Sequence, residues 1–160
     1  MNETFDAAIT EFNLGNFKKA LALFEQVLAT EPLHVTALIK KGNILGKFAR
    51  YIDAISCYDK VLEIEPQNAL ALINKGLALH YLQRYDEAIF CYDTILQMRP
   101  NSSLTLYNKA SSLVRSGKIE QGLEVLKKAI SLDFSCKYKA RADIDFEGVQ
   151  KTSEFKKIVL

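Results

Sequence analysis

The sequence predicts an all-α fold, a solenoid of antiparallel helix pairs, and three observations predict it. The only prolines, Pro32, Pro66 and Pro100, fall 34 residues apart, and a fixed period of that length closed by proline is the pattern of a stacked helix–turn–helix repeat. Between them apolar residues recur at three- and four-residue spacing, as in Leu38, Gly42 and Leu45 and then Ala54, Tyr58, Val61 and Leu62. That is the periodicity of amphipathic helices. Small residues (Gly42, Gly76, Ala54, Ala88) and large ones (Tyr51, Tyr58, Tyr85, Tyr92) also keep equivalent places in successive units. The small ones suit helices approaching to roughly 8–10 Å, and the large ones fill the gaps between them.

The units run 1–34, 35–68, 69–102 and 103–136, each with a first and a second helix. In the first unit the opening helix is weak, because Thr4 and Glu11 stand where large apolar residues are usual; an end unit must face water. Its second half is regular: Gly15-Asn16-Phe17, then Ala20, Phe24 and Val27. The second and third units repeat that half as Tyr51, Ala54, Tyr58, Val61 and as Tyr85, Ala88, Tyr92, Ile95. Their first halves carry Lys41-Gly42 and Lys75-Gly76, and the fourth carries Lys109-Ala110. Pro66 and Pro100 close their units, since proline donates no amide hydrogen and biases its predecessor away from helix. The fourth unit has Phe134 for the proline, Ile119 for the aromatic and Gly122 for the alanine. Gly122 is expected to cost about 1 kcal/mol relative to alanine, with tight packing recovering some of it. Residues 137–160 are expected to form capping helices over the fourth unit, with Asp143, Asp145, Thr152 or Ser153 as N-caps for segments carrying Phe146 and Val149 and then Phe155, Ile158 and Val159. The other reading of this tail is a tethered helix that engages another molecule or the chain's own groove.

Composition excludes several classes. Hydrophobic residues are 49% and charged residues 25% of the 160, close to the globular average. The net charge is +2, too small to argue for nucleic acid. Its distribution is uneven: residues 1–34 carry two lysines against five acids, and 103–136 carry five bases against three. The lysine pairs Lys40-Lys41, Lys127-Lys128 and Lys156-Lys157 lie in separate elements with acids between them, not in a continuous basic stripe. No secretory leader is read at Met1–Asp6, and no stretch approaches the ~20 apolar residues of a membrane helix. Cys57 and Cys91 hold equivalent places, expected to lie on the order of 10 Å apart, beyond the ~7 Å that a disulfide spans. With Cys136 they are expected to be free thiols in a reducing cytoplasm. His34 and His80 form no HExxH or His–Cys ligand set, and the glycines build no phosphate loop. No metal and no cofactor is expected, and no enzyme.

The spacing resembles the tetratricopeptide repeat family, whose pattern places a small residue eighth, an aromatic seventeenth, alanine twentieth, an aromatic twenty-fourth and proline thirty-second. The resemblance covers residues 1–136, four repeats, and implies a right-handed solenoid whose first helices line a concave groove. Carried over by repeat position, the groove residues are Phe5, Ile39, Asn43, Leu70, Ile73, Asn74, Leu77, Tyr81, Leu104, Tyr107, Asn108 and Ser111. Asn74 and Asn108 take one repeat position and resemble the asparagine ladders by which some members hold peptide backbone; the alternative is that they only satisfy neighbouring groups. The carboxylate clamp known in the family is disfavoured. Ile39, Asn43, Asn74, Leu104 and Asn108 match two of its asparagines and none of its three cations.

The implied function is a cytoplasmic, non-enzymatic protein–protein interaction scaffold that takes a peptide or amphipathic helix with an apolar face in the groove. A homo-oligomerising module, such as a homodimer, is the alternative, and an RNA-binding helical repeat is a third reading.

Overall fold

Ten α-helices and one 3-10 helix, with no strand, make up the described residues, 3–160, of the computed structural model. Eight helices fall into four pairs: α1 (Glu3–Asn13) with α2 (Phe17–Thr30), α3 (Val35–Lys47) with α4 (Tyr51–Ile64), α5 (Ala69–Tyr81) with α6 (Tyr85–Met98), and α7 (Ser103–Arg115) with α8 (Ile119–Leu132). The tail adds α9 (Ser135–Ala142), the 3-10 helix η1 (Ile144–Val149) and α10 (Ser153–Val159).

Two local devices recur at fixed repeat positions, and only one was plain in the sequence. Between pairs, the proline turn hands over to an N-cap two residues on. His34 Nδ1 accepts from the Ala37 amide at 3.3 Å, Asn68 Oδ1 from Ala71 at 2.9 Å and Ser102 Oγ from Thr105 at 3.4 Å. Each satisfies one of the orphan donors that open a helix. Within pairs, the chain turns through left-handed backbone at the same place every time: Gly15 (φ 79°), Ala49 (58°), Gln83 (60°) and Gly117 (85°). Glycine fills that place in two units, while the other two absorb the Cβ strain.

Contacts divide the chain into two units, Met1–Ala78 and Leu79–Leu160. In the first, α1 packs on α2, α2 on α3 and α3 on α4. One cluster holds Ala8, Ala20, Phe24, Val27, Ala37 and Ile44, and the next holds Leu38, Leu45, Ala54, Tyr58, Val61 and Ala71. Glu11, the residue out of place in an apolar pattern, accepts from Lys19 at 2.5 Å and Asn16 at 2.7 Å. Those two bonds hold its carboxyl below the usual range. In the second unit α6 packs on α7 and α7 on α8, and the tail packs on α7 and α8. Phe146, Val149, Phe155 and Val159 are buried with Leu106, Tyr107, Ala110 and Leu126 in one cluster. Asp143 and Thr152 cap η1 and α10.

A further regularity is an ion pair from each first helix back to the preceding second helix: Lys41–Glu25 at 2.9 Å, Lys75–Asp59 at 2.6 Å and Lys109–Asp93 at 2.6 Å. Their acids are exposed, so each contributes little stability.

Gly122 has no room for the side chain that its position usually carries. A Cβ there would lie 2.6 Å from Val114 Cγ2 and 3.0 Å from the Val114 backbone nitrogen. Gly122→Ala is therefore expected to destabilise by about 1–3 kcal/mol as overpacking, despite alanine's better helix propensity. Adding Val114→Ala should recover part of that loss in a urea melt, and a stabilised single variant would contradict the packing. Burial pushes the hydroxyls of Tyr58, Tyr92 and Tyr107 well above the usual tyrosine value of 10.0. Their stabilising effect is complete below pH of about 10 and is lost as pH rises, because only the unfolded chain then releases those protons readily. Alkaline unfolding followed by tyrosinate absorbance should be steep and cooperative; a gradual titration without unfolding would contradict it.

Candidate functional site

In the first unit the first helices bring several of the expected groove residues together. Gly42 lets α4 come so close that a Cβ on it would sit 2.6 Å from Tyr58 Cε1. The Tyr58 hydroxyl thereby reaches the first-helix side and donates to Asn43 Oδ1 at 2.8 Å. The same oxygen accepts from Asn74 Nδ2 at 2.9 Å, so α3 and α5 are joined by a side-chain amide pair anchored on a buried tyrosine. Ile73, Asn74 and Leu77 are half-buried beside it, and Leu70 is 62% exposed. Phe5 is half-buried, its ring 4.6 Å from that of His34 and 6.2 Å from Phe24. Ile39 is buried in the α3–α4 core and presents little surface.

Lysines flank this face. Lys40 Nζ lies 4.4 Å from the centroid of the Phe12 ring, and Lys47 Nζ lies 5.0 Å from that of Phe17. Both contacts are of the cation–π kind. Lys40 and Lys47 are not among the site residues that repeat position picked out; their ring contacts are tertiary and leave no mark in the sequence.

In the second unit the expectation is corrected. Tyr107 is only 2% exposed, because the tail lies on it: its hydroxyl donates to Asp143 Oδ2 at 2.7 Å and its ring packs edge-on against Phe146 at 5.7 Å. Asn108 and Ser111 are buried as well. These three are closed to a ligand in this structure. Leu104 (56%) and Tyr81 (62%) are exposed. An unforeseen polar cluster fixes the tail in place. His80 Nδ1 is 2.8 Å from Ser112 Oγ, its Nε2 is 3.0 Å from Asp145 Oδ2, and Arg115 Nε is 3.9 Å from Asp145 Oδ1. Serine, histidine and aspartate are the residue types of a nucleophilic triad. Ser112, however, is wholly buried and shares its surroundings with Tyr92, so no substrate atom reaches Oγ. The cluster acts as a clip between η1 and α7.

The second unit also has a cleft of about 760 Å³ between α8 and α10, with Ile119, Leu123 and Ile158 on its apolar side and Glu120, Glu124, Glu154, Lys127 and Lys157 around it. The sequence reading did not single it out, because its walls come from elements more than twenty residues apart. Cys57, Cys91 and Cys136 are free and buried, and burial pushes the Cys57 and Cys136 thiols up. Among the described residues no helix is long and apolar enough to cross a membrane, and no three His, Cys, Asp or Glu side chains gather as a metal site.

Tetratricopeptide repeat family models match residues 5–49, 35–68, 69–102 and 104–136. The chain belongs to the tetratricopeptide repeat family. Its fold is the all-α solenoid type of that family, and solved structures of MamA are similar to it. MamA AMB-1 is 30% identical, with a TM-score of 0.76 over 82% of this chain and 78% of that one. MamA MSR-1 is 28% identical, with a TM-score of 0.75 over 82% and 76%. MamA from Desulfovibrio magneticus RS-1 is 21% identical, with a TM-score of 0.83 over 97% and 90%; at that identity the likeness is one of fold. Among curated proteins, none matches the sequence. Tetratricopeptide repeats as a class are protein-interaction scaffolds, and that coarse reading holds for this chain.

The Asn43 bonds make a checkable claim about the site's rigidity. Asn43→Ala leaves the buried Tyr58 hydroxyl without its acceptor and should cost about 1–3 kcal/mol. Tyr58→Phe added to it should recover part of the loss in a denaturant melt. If the two losses simply add, the bond does not hold the face.

Proposed function

We propose that this chain is a cytoplasmic, non-enzymatic scaffold that holds a partner's peptide or amphipathic helix on the first-helix face of its Met1–Ala78 unit. The observation that carries the reading is the Tyr58–Asn43–Asn74 chain of hydrogen bonds beside the apolar side chains of Leu70, Ile73 and Leu77. An apolar strip rimmed by polar groups and lysines on a protein surface marks an interaction site. Binding is non-covalent. Leu70, Ile73 and Leu77 meet the ligand's apolar side, and the fixed amides of Asn43 and Asn74 offer a donor and an acceptor to its backbone. Phe5 borders the strip through its contact with His34. Pre-organisation matters here: amides already anchored on a buried tyrosine lose little freedom when a ligand arrives. The free, buried cysteines fit a reducing compartment.

Capture from native lysate tests this reading, with the wild-type chain beside Leu70→Glu and Ile73→Glu, Leu77→Glu variants. Leu70 is exposed, so its variant tests the surface without touching the core, and circular dichroism checks that all three fold. A protein retained by the wild type and lost by Leu70→Glu is the expected result. The same proteins captured by all three chains would remove this face from the function. Wild-type capture of its own copies alone would make the assembly a homo-oligomer and overturn the peptide reading.

A further inference from the structure

We propose that the first-helix face of the Met1–Ala78 unit accepts an acidic peptide bearing a large apolar side chain. Lys40 and Lys47 meet its carboxylates, while Ile73 and Leu77 meet its apolar group. This names the partner class of the function proposed above and rests on that reading.

The first argument is charge. Helices α3 and α5 contain no aspartate or glutamate. Of their lysines, Lys41 and Lys75 are neutralised by Glu25 and Asp59 on the side away from the first-helix face. Lys40 and Lys47 lie instead over the rings of Phe12 and Phe17. A ring attracts a cation through its quadrupole and shelters the aliphatic stem, but it carries no negative charge. Two positive charges therefore remain beside an apolar strip. Of the acids on α1, Glu11 is engaged by Lys19 and Asn16; Asp6, in the first turn, is the nearest counterpart by repeat position, one repeat before Lys40. The face is cationic and apolar together, and its complement is anionic and apolar.

The second argument is that the chain seats such a segment on one of its own first helices. In the Leu79–Leu160 unit, Asp143, Asp145 and Phe146 lie on α7. Tyr107 donates to the first carboxylate, His80 and Arg115 meet the second, and Phe146 packs on the Tyr107 ring. Two carboxylates two residues apart, followed by an aromatic, fill a first-helix face whose polar anchors are a cation and a hydroxyl. Arg115 holds in the fourth repeat the position that Lys47 holds in the second; Tyr107 holds that of Ile39, and Asn108 that of Lys40. In the fourth repeat these positions are covered from within the chain. In the second repeat Lys47 is exposed and Lys40 half-buried.

The probe is a labelled peptide of residues 142–149, Ala-Asp-Ile-Asp-Phe-Glu-Gly-Val, titrated into the full chain by fluorescence anisotropy. Saturable binding is expected, weakening about tenfold or more in Lys40→Glu, Lys47→Glu and on raising the salt. The peptide with Phe146→Ala should bind several-fold more weakly, and Arg115→Glu in the protein should leave affinity unchanged. Absence of binding overturns the proposal. So does loss with Arg115→Glu but not with the lysine variant, because the peptide would then be exchanging with the chain's own tail. Equal affinity for the phenylalanine-free peptide also overturns it, since the face would then be a plain polyanion site. If the peptide fails while Leu70→Glu still loses a lysate partner, the binding face stands and only the acidic ligand falls.

Discussion

The structure of the first unit depends on the close approach of α3 and α4 at Gly42. With no Cβ there, the Tyr58 ring lies against the α3 backbone, at a spot where an added carbon would come within 2.6 Å. That contact buries one of the largest side chains in the unit, and it also sets where the phenol oxygen emerges. The oxygen reaches Asn43, and Asn43 in turn takes the amide of Asn74 from the next first helix. A packing decision in the core therefore determines the arrangement of polar groups on the face. The energy comes from burying the ring; the geometry of the face follows without a separate device to hold it.

The second unit answers the same architecture differently. Its last pair has Gly122 on the second helix and a bulky Val114 on the first, a reversal of which helix carries the small residue at the crossing. Its first-helix face is then covered by the tail, which places Phe146, Phe155 and Val159 in the core. A carboxylate taken out of water costs several kcal/mol unless it is paired. Asp143 and Asp145 keep partial contact with solvent and find Tyr107, His80 and Arg115. One repeat pattern thus yields a face left open to a ligand and a face already occupied.

Much of the fold was legible because its signals are periodic. Three prolines at one spacing and small and aromatic residues in phase specify helix pairs, and the bounds of α2, α4 and α6 follow the aromatic and proline positions closely. Signals that depend on three dimensions were not legible. The left-handed turn falls on Gly15 and Gly117 but also on Ala49 and Gln83, so residue identity alone hides that it is one feature. The ion pairs from Lys41, Lys75 and Lys109 join residues sixteen apart, a spacing that no single-helix pattern reveals. Position alone placed Tyr107 on an open groove, yet the segment that covers it lies 36 residues further along. The amide pairing of Asn43 and Asn74 shows why a repeat position can be identified correctly while its partner cannot.

The central claim is that the first-helix face of the Met1–Ala78 unit receives the partner, and methyl spectroscopy addresses it most directly. Isoleucine and leucine methyl groups of the full chain would be observed while a captured partner, or the peptide segment of it that binds, is titrated in. The account predicts that Leu70, Ile73 and Leu77 shift together and saturably, while Ile52 and Ile64, exposed on the second helix α4, stay in place. Shifts centred on Ile52 and Ile64, or on Ile119 and Ile158 at the α8–α10 cleft, would contradict it.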